Sequence, residues 1–241
     1  MTSTALFHVP PKVDVVAGVA ERVAALGPRP REQRWASLSA CVLDAVWSIG
    51  ARYDGVVVPL VRRVLDDGAS GPLLSPGPPV DDVHPLSRFV ERFPDEDSLL
   101  EVAQNRPRTS TRNGITKARA ALGYASVLLD HGIDDIAAAN EAFSSPPLLA
   151  SIDNRLRRFR GEGQYGIRRS YFWMLCGDDG RIKPDRMILR WLAPHGVRDP
   201  HVAQQLLIDV AEFLTREGAT KVTPWEVDHA IWLAARGQDT V

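Results

Sequence analysis

Apolar residues recur at helical spacing along most of the chain, and the runs break on proline, glycine and short polar clusters. After the double proline at 10–11, the first helical run covers 13–26 and stops at Gly27-Pro28. Leu38, Val42, Ala45, Val46 and Ile49 line one stripe of a second helix that ends near Gly50. Residues 56–65 predict a third. Their run VVVPL also reads as a short strand, but Pro59 is tolerated near a helix start and would remove a ladder donor from a central strand. Residues 68–82, GASGPLLSPGPPVDD, are a loop. Short helices follow at 85–93 and 96–104. A longer one begins after Thr111, carries Ile115, Ala118, Leu122, Ala125, Leu128 and Leu129 on one face, and stops at His131-Gly132. Further helices are expected at 133–143, 148–159, 199–217 and 224–235, the last opened by Thr223-Pro224 with Glu226 placed to complete a capping box. No alternating run and no internal repeat is visible, so the pattern predicts an all-α fold.

Composition alters this picture little. Of the 241 residues, 44% are apolar and 24% charged, which is ordinary for a globular protein with a substantial core. The net charge of -1 and pI near 6.6 are not those of a protein held on nucleic acid by overall charge, so any such contact must come from a local basic surface. Cys41 and Cys176 form no CxxC or Cys/His cluster, which excludes a zinc ribbon and a four-thiolate iron–sulfur cluster. Both sit in apolar runs and read as buried free thiols. The opening MTSTALFHVPPK lacks the charged start and long apolar stretch of a signal peptide, and no apolar run approaches membrane-spanning length. A cytoplasmic protein without metal, cofactor or membrane contact is expected.

The informative segment is 156–192, LRRFRGEGQYGIRRSYFWMLCGDDGRIKPDRMILRWL. An arginine-rich helix runs into Gly161-Glu162-Gly163, and an apolar helix leaves from about Gly166. Glycines one residue apart let the backbone turn tightly and expose consecutive amides beside a helix N-terminus, a geometry suited to one phosphate. Arg155, Arg157, Arg158, Arg160, Arg168 and Arg169 surround the single Glu162. On these residues alone two readings fit: a phosphate cradle in a basic patch, and a plain turn flanked by solvated arginines. Asp185, after Lys183-Pro184, likewise reads either as a functional carboxylate at a helix start or simply as the cap of a helix over 184–192.

The hairpin GEGQYG, the apolar helix IRRSYFWMLCG and the Asp–x–x–aliphatic–x–Arg element Asp185-Arg186-Met187-Ile188-Leu189-Arg190, in this order, resemble the helix-hairpin-helix DNA glycosylases, the superfamily that includes endonuclease III. PWEVDHAIWLAARG (224–237) resembles that family's closing helix, and RNGITKARAAL (112–122) the turn and helix that precede the hairpin region. The similarity spans about 36–237; its specific part runs from the hairpin to Arg190.

The resemblance implies two helical lobes with a helix-hairpin-helix motif and a cleft between them. One lobe would cover 36–180 with the motif at about 148–176; the other would join 1–35 to 181–241 and carry the catalytic aspartate. It implies Asp185 as the carboxylate that stabilises positive charge on the sugar and activates water. Backbone contacts would come from Gly161, Gly163, Gln164, Tyr165, Gly166, Arg160, Arg168 and Lys183. Tyr165 occupies the place of the Schiff-base lysine of members that also cut the backbone, which implies a monofunctional enzyme leaving an abasic site. Base flipping needs a wedge and a pocket, corresponding to about 46–52 and drawn from Asp44, Trp47, Arg52 and Tyr53. For these residues, packing in the core or on the surface fits equally well, and Asp44 also reads as a cap for a neighbouring helix. Tyr171, Phe172 and Trp173 read as core, His195 and His229 as surface or interface. Two departures stand out: Arg160 where proline is common, and Glu162 inside the cradle, where it weakens phosphate binding unless it points to solvent. The expected partner is double-stranded DNA with a damaged or modified base, bound by a monomer, in repair or in defence against modified phage DNA. The competing expectations are a helix-hairpin-helix protein that binds DNA without catalysis and an all-helical scaffold without nucleic acid.

Overall fold

The computed structural model describes residues 13–68, 71–77 and 81–237. The expectations about the first twelve residues and the chain end at 238–241 therefore lie outside the described residues, as do 69–70 and 78–80 of the proline-rich loop. Nearly all regular structure is helical, and no described helix is long and apolar enough to cross a membrane. The chain divides into two compact units: 31–178, and a discontinuous unit formed by the segment up to Pro30 together with 179 onwards. The sequence reading set these junctions at 35/36 and 180/181.

The continuous unit contains strand β1 (Arg34–Trp35), helix α2 (Leu38–Trp47), a π-turn (Tyr53–Val57), α3 (Val58–Leu65), β2 (Leu74–Ser75), α4 (Leu86–Arg92), α5 (Glu96–Ala103), α6 (Lys117–Leu129), α7 (Ile136–Ala142), α8 (Pro146–Arg158) and α9 (Ile167–Cys176). Every residue of α2 is buried, so it runs through the middle of the core against α9 and α6. Packed into the same core are Leu60, Leu86, Leu99, Tyr124, Leu128, Phe172 and Trp173. The VVVPL run is helical, with Pro59 in the first turn of α3. The fold is all-α as expected, and the one ladder among the described residues pairs β1 and β2 antiparallel, Arg34 with Ser75 and Trp35 with Leu74. Strands of two residues leave no alternating pattern to read.

Helix α6 begins at Lys117 rather than just after Thr111. Thr116 caps it by accepting from the Arg119 amide, and the preceding residues are committed to a hairpin described below. Helix α7 likewise starts three residues later than expected, because Asp135 takes the cap position and accepts from Ala138 N at 2.7 Å.

The discontinuous unit comprises α1 (Val13–Leu26), α10 (Arg186–Leu192), a 3-10 turn (Ala193–His195), α11 (Pro200–Glu217) and α12 (Pro224–Gly237). Its separate core packs Val19, Val23, Ile188, Leu192, Leu206, Val210, Val227 and Ile231 together. The capping box forms as expected: Thr223 N donates to Glu226 Oε2 at 2.6 Å and Glu226 N to Thr223 Oγ1 at 3.3 Å.

Candidate nucleic-acid interface and acid site

Residues 159–166 join α8 to α9 as a tight corner. Helix α8 opens on two prolines and closes on Arg155, Arg157 and Arg158, cations that complement the negative end of the helix dipole. All three, and Arg160 after them, are exposed. The backbone at Gly161 has φ +118°, and a Cβ there would stand 2.9 Å from Ile115 Cδ1, so the turn requires glycine on both counts. Gly163, Gln164 and Tyr165 are exposed, Tyr165 with 52% of its surface accessible, and Gly166 begins α9 without a side-chain cap.

Glu162 does not occupy this rim. It is buried, accepts a hydrogen bond from the Tyr124 hydroxyl and pairs with Arg169 Nη1 at 3.2 Å. Burial raises its carboxyl to about 7 against the opposing pull of Arg169 and Arg168. Of the two outcomes expected from the sequence, a solvent-facing acid or a weakened cradle, neither describes an acid that turns inward. Arg168, expected on the DNA backbone, is also buried, and its Nε and Nη1 have no hydrogen-bond partner among the described residues. A guanidinium in that position cannot reach a phosphate from the surface, so Arg168 leaves the candidate set. Lys117, unmarked in the sequence reading, is buried beside it. Its Nζ donates to Trp47 O and Ile49 O, both at 2.8 Å, capping the end of α2, and burial lowers it to about 8.

The wedge and pocket residues separate. Trp47 has no exposed surface, and its Nε1 donates to Asn105 Oδ1 at 2.9 Å. Asp44 is equally buried and accepts from Trp35 Nε1 at 2.7 Å, Tyr53 OH at 2.9 Å and Tyr171 OH at 3.1 Å. It is the acceptor that three aromatic donors share in the core. Tyr53 is half-buried by this bond, and of the four only Arg52 is exposed. A burial pattern of this kind is invisible in a ten-residue stretch that is apolar on every side of the helix. Phe172 and Trp173 are core, as read.

In the other unit, Asp185 is the N-cap of α10. Its Oδ1 accepts from Met187 N at 2.8 Å and Ile188 N at 3.3 Å, while Oδ2 lies 3.7 Å from Lys183 Nζ. The side chain is 21% exposed. Lys183, expected as a phosphate contact, is mostly buried. Its amide donates to Asp228 Oδ1 at 2.9 Å, and Asp185 N closes back onto Lys183 O at 2.7 Å. Asp228, on α12, is an acid that the sequence pattern did not single out. Burial, with Asp185 adding to it, raises Asp228 to about 7. On the same helix His229 stacks between Trp225 and Trp232, with ring centroids 4.6 and 5.8 Å away. His195 meets Arg22 Nη1 at 2.7 Å.

The continuous unit offers an exposed, glycine-built corner with four arginines beside it; the discontinuous unit, taken by itself, offers a carboxylate held by two amides and 21% exposed. Among the described residues no group of three His, Cys, Asp or Glu side chains is placed to hold a metal. A family model matches residues 14–236, that of "Domain of unknown function (DUF8548)". No curated protein and no solved structure matches the chain.

Proposed function

The chain belongs to the DUF8548 family, a domain of unknown function by its own description, and from its residues we propose that it is a monofunctional DNA glycosylase, a monomer that excises a damaged or modified base from duplex DNA. In this reading the corner 159–166 is the hairpin of a helix-hairpin-helix motif that holds one backbone phosphate, and Asp185 is the catalytic carboxylate.

The observation that carries the proposal is the state of Asp185. Two backbone amides fix Oδ1, and Oδ2, 3.7 Å from Lys183 Nζ, is the oxygen that would face developing charge. When the C1′–N bond breaks, the base departs with the electron pair and the sugar becomes electron-deficient. An ionised carboxylate stabilises that charge and takes a proton from the water that adds to C1′. Among the described residues no lysine stands at the corner, where the family's Schiff-base lysine would be. Tyr165 stands at the corner, Lys117 is engaged with two carbonyls, and Lys183 is mostly buried. The product is therefore an abasic site with an intact backbone.

A second reading is favoured by one detail. Asp185 makes a complete set of helix-capping contacts and an ion pair, which is also what a purely structural aspartate does. The chain would then bind DNA without catalysis. Asp185→Asn separates the two, because asparagine caps helices about as well as aspartate. Wild-type protein incubated with a panel of modified-base duplexes and treated with alkali is expected to reveal abasic sites on at least one. D185N is expected to lose about 10²-fold or more of that activity, the scale of a lost general base, with its DNA affinity kept. Salt-dependent binding by the wild type without excision of any base would establish the non-catalytic reading.

A further inference from the structure

The stretch that precedes α6 is a closed hairpin rather than a run-in to the helix. Arg108 bridges Thr116 antiparallel, Thr109 N donates to Ile115 O at 2.8 Å, and Lys117 N to Pro107 O at 3.0 Å. Arg108 Nη1 ties the far side by donating to Gly114 O at 2.7 Å. Gly114 is what lets the tip close, since a Cβ there would come within 2.4 Å of Ser110 N. The hairpin is fastened to the corner between α8 and α9: Arg160 Nη2 donates to Asn113 O at 3.1 Å, and Ile115 packs against Gly161.

Charge is concentrated on these two joined segments. Residues 105–119 hold four arginines, one lysine and no acid, and 154–169 hold six arginines and one acid. That acid, Glu162, faces inward, and the nearby Glu96 is half-buried and accepts from Thr116 Oγ1 at 2.6 Å. Arg106, Arg112 and Arg119 on the hairpin side and Arg157, Arg158 and Arg160 on the corner side are all exposed. Since the whole chain has a net charge of -1, this positive field is local.

We propose that the 107–117 hairpin, with Arg106 just before it, is a second backbone-binding element for duplex DNA, in which Arg106 and Arg112 each neutralise a phosphate that the glycine corner does not reach. The exposed tip residues Ser110, Thr111, Arg112 and Asn113 are all polar, so the surface offers hydrogen-bond donors and cations with no apolar patch of the kind a protein interface buries at its centre. Closure by its own hydrogen bonds means that little ordering entropy is lost on contact. The proposal rests on the DNA-binding part of the proposed function and is independent of Asp185.

The test is fluorescence anisotropy of the full chain with a labelled duplex across a potassium chloride series, comparing wild type with the double variant R106Q/R112Q. Each lost phosphate contact lowers the slope of log K against log salt by about 0.9, so the double variant is expected to lose about 1.8 and to bind roughly 10-fold or more weakly near 0.1 M salt. Arg62→Gln, an exposed arginine on α3, is expected to leave both quantities unchanged. An unchanged slope in R106Q/R112Q, an equal loss in R62Q, or tighter binding of single-stranded RNA of the same length overturns the hairpin assignment while leaving base excision by the wild type as a separate readout. Absence of any duplex binding by the wild type overturns the proposed function as well.

Discussion

Asp185 and Asp228 use the same chemical group in opposite ways. Asp185 accepts two amides at the start of a helix and keeps part of its surface, whereas Asp228 is buried and accepts one amide, from Lys183. Burial first, then the neighbouring Asp185, lifts Asp228 to about 7, with the Lys183 amide and side chain pulling it back. The folded protein thus holds a proton that the unfolded chain releases near pH 4, the ordinary aspartate range. In that window the native state binds more protons than the unfolded one, so this residue's contribution to stability falls as pH rises from about 4 to about 7 and then levels off. Glu162, raised to about 7 by its own burial, has the same sign. Asp228→Asn, which cannot ionise and retains an acceptor for Lys183 N, is expected to flatten the profile and to gain about 1–3 kcal/mol over wild type at pH 8, read from urea melts at pH 5 and pH 8. A variant less stable than wild type at both pH values would show that the ionised carboxylate is the form the fold uses. Of these residues, Asp185 was legible in the sequence because Lys-Pro-Asp ahead of an apolar run marks a helix start. Asp44, Trp47 and Glu162 were not, because direction into a core is set by neighbours far along the chain, Tyr171 for Asp44 and Tyr124 for Glu162.

At the scale of elements, local chemistry decided what could be read. The first helix was read over 13–26 and forms as Val13–Leu26, since proline precedes it and Gly27-Pro28 ends it. The capping box at Thr223 and Glu226 forms because both partners lie within four residues. Thr223→Ala is accordingly expected to cost about 1 kcal/mol, a lowered melting temperature in thermal unfolding followed by circular dichroism, with Thr223→Ser close to wild type. The 107–117 hairpin escaped reading for the converse reason. Its arginines and its single isolated bridge give no alternation, and its apolar anchor Ile115 also fits the stripe of α6. The cysteines show the same limit. The sequence predicts two buried free thiols, and both are free and buried; what it does not show is that α2 and α9 pack against each other and set Cys176 beside Cys41. Burial, and then the neighbouring Cys176, raises the Cys41 thiol.

For the molecule as a whole, the two units have separate cores, and the parts assigned to binding and to chemistry fall in different ones. The corner, the hairpin and the exposed arginines belong to 31–178, and Asp185 belongs to the discontinuous unit. The continuous unit also contains its own complete core around α2, with no chain break to close. Residues 31–178 produced alone are therefore expected to unfold in one cooperative transition and to bind duplex DNA with the same salt slope as the full chain, while releasing no base from any duplex the full chain acts on. Calorimetry, the anisotropy series and the alkali assay measure these three properties on one preparation. A fragment that folds but loses the salt slope would mean that phosphates are also neutralised from the discontinuous unit. Excision by the fragment would remove Asp185 from the chemistry altogether, since the fragment does not contain it. The expected combination, binding without excision, is what a division of labour between a cationic patch in one unit and an acidic residue in the other requires. On the proposed function a net charge of -1 is no obstacle to holding a polyanion: neutrality is a property of the sum, and affinity would be set by where the eight exposed arginines of 106–119 and 155–160 stand.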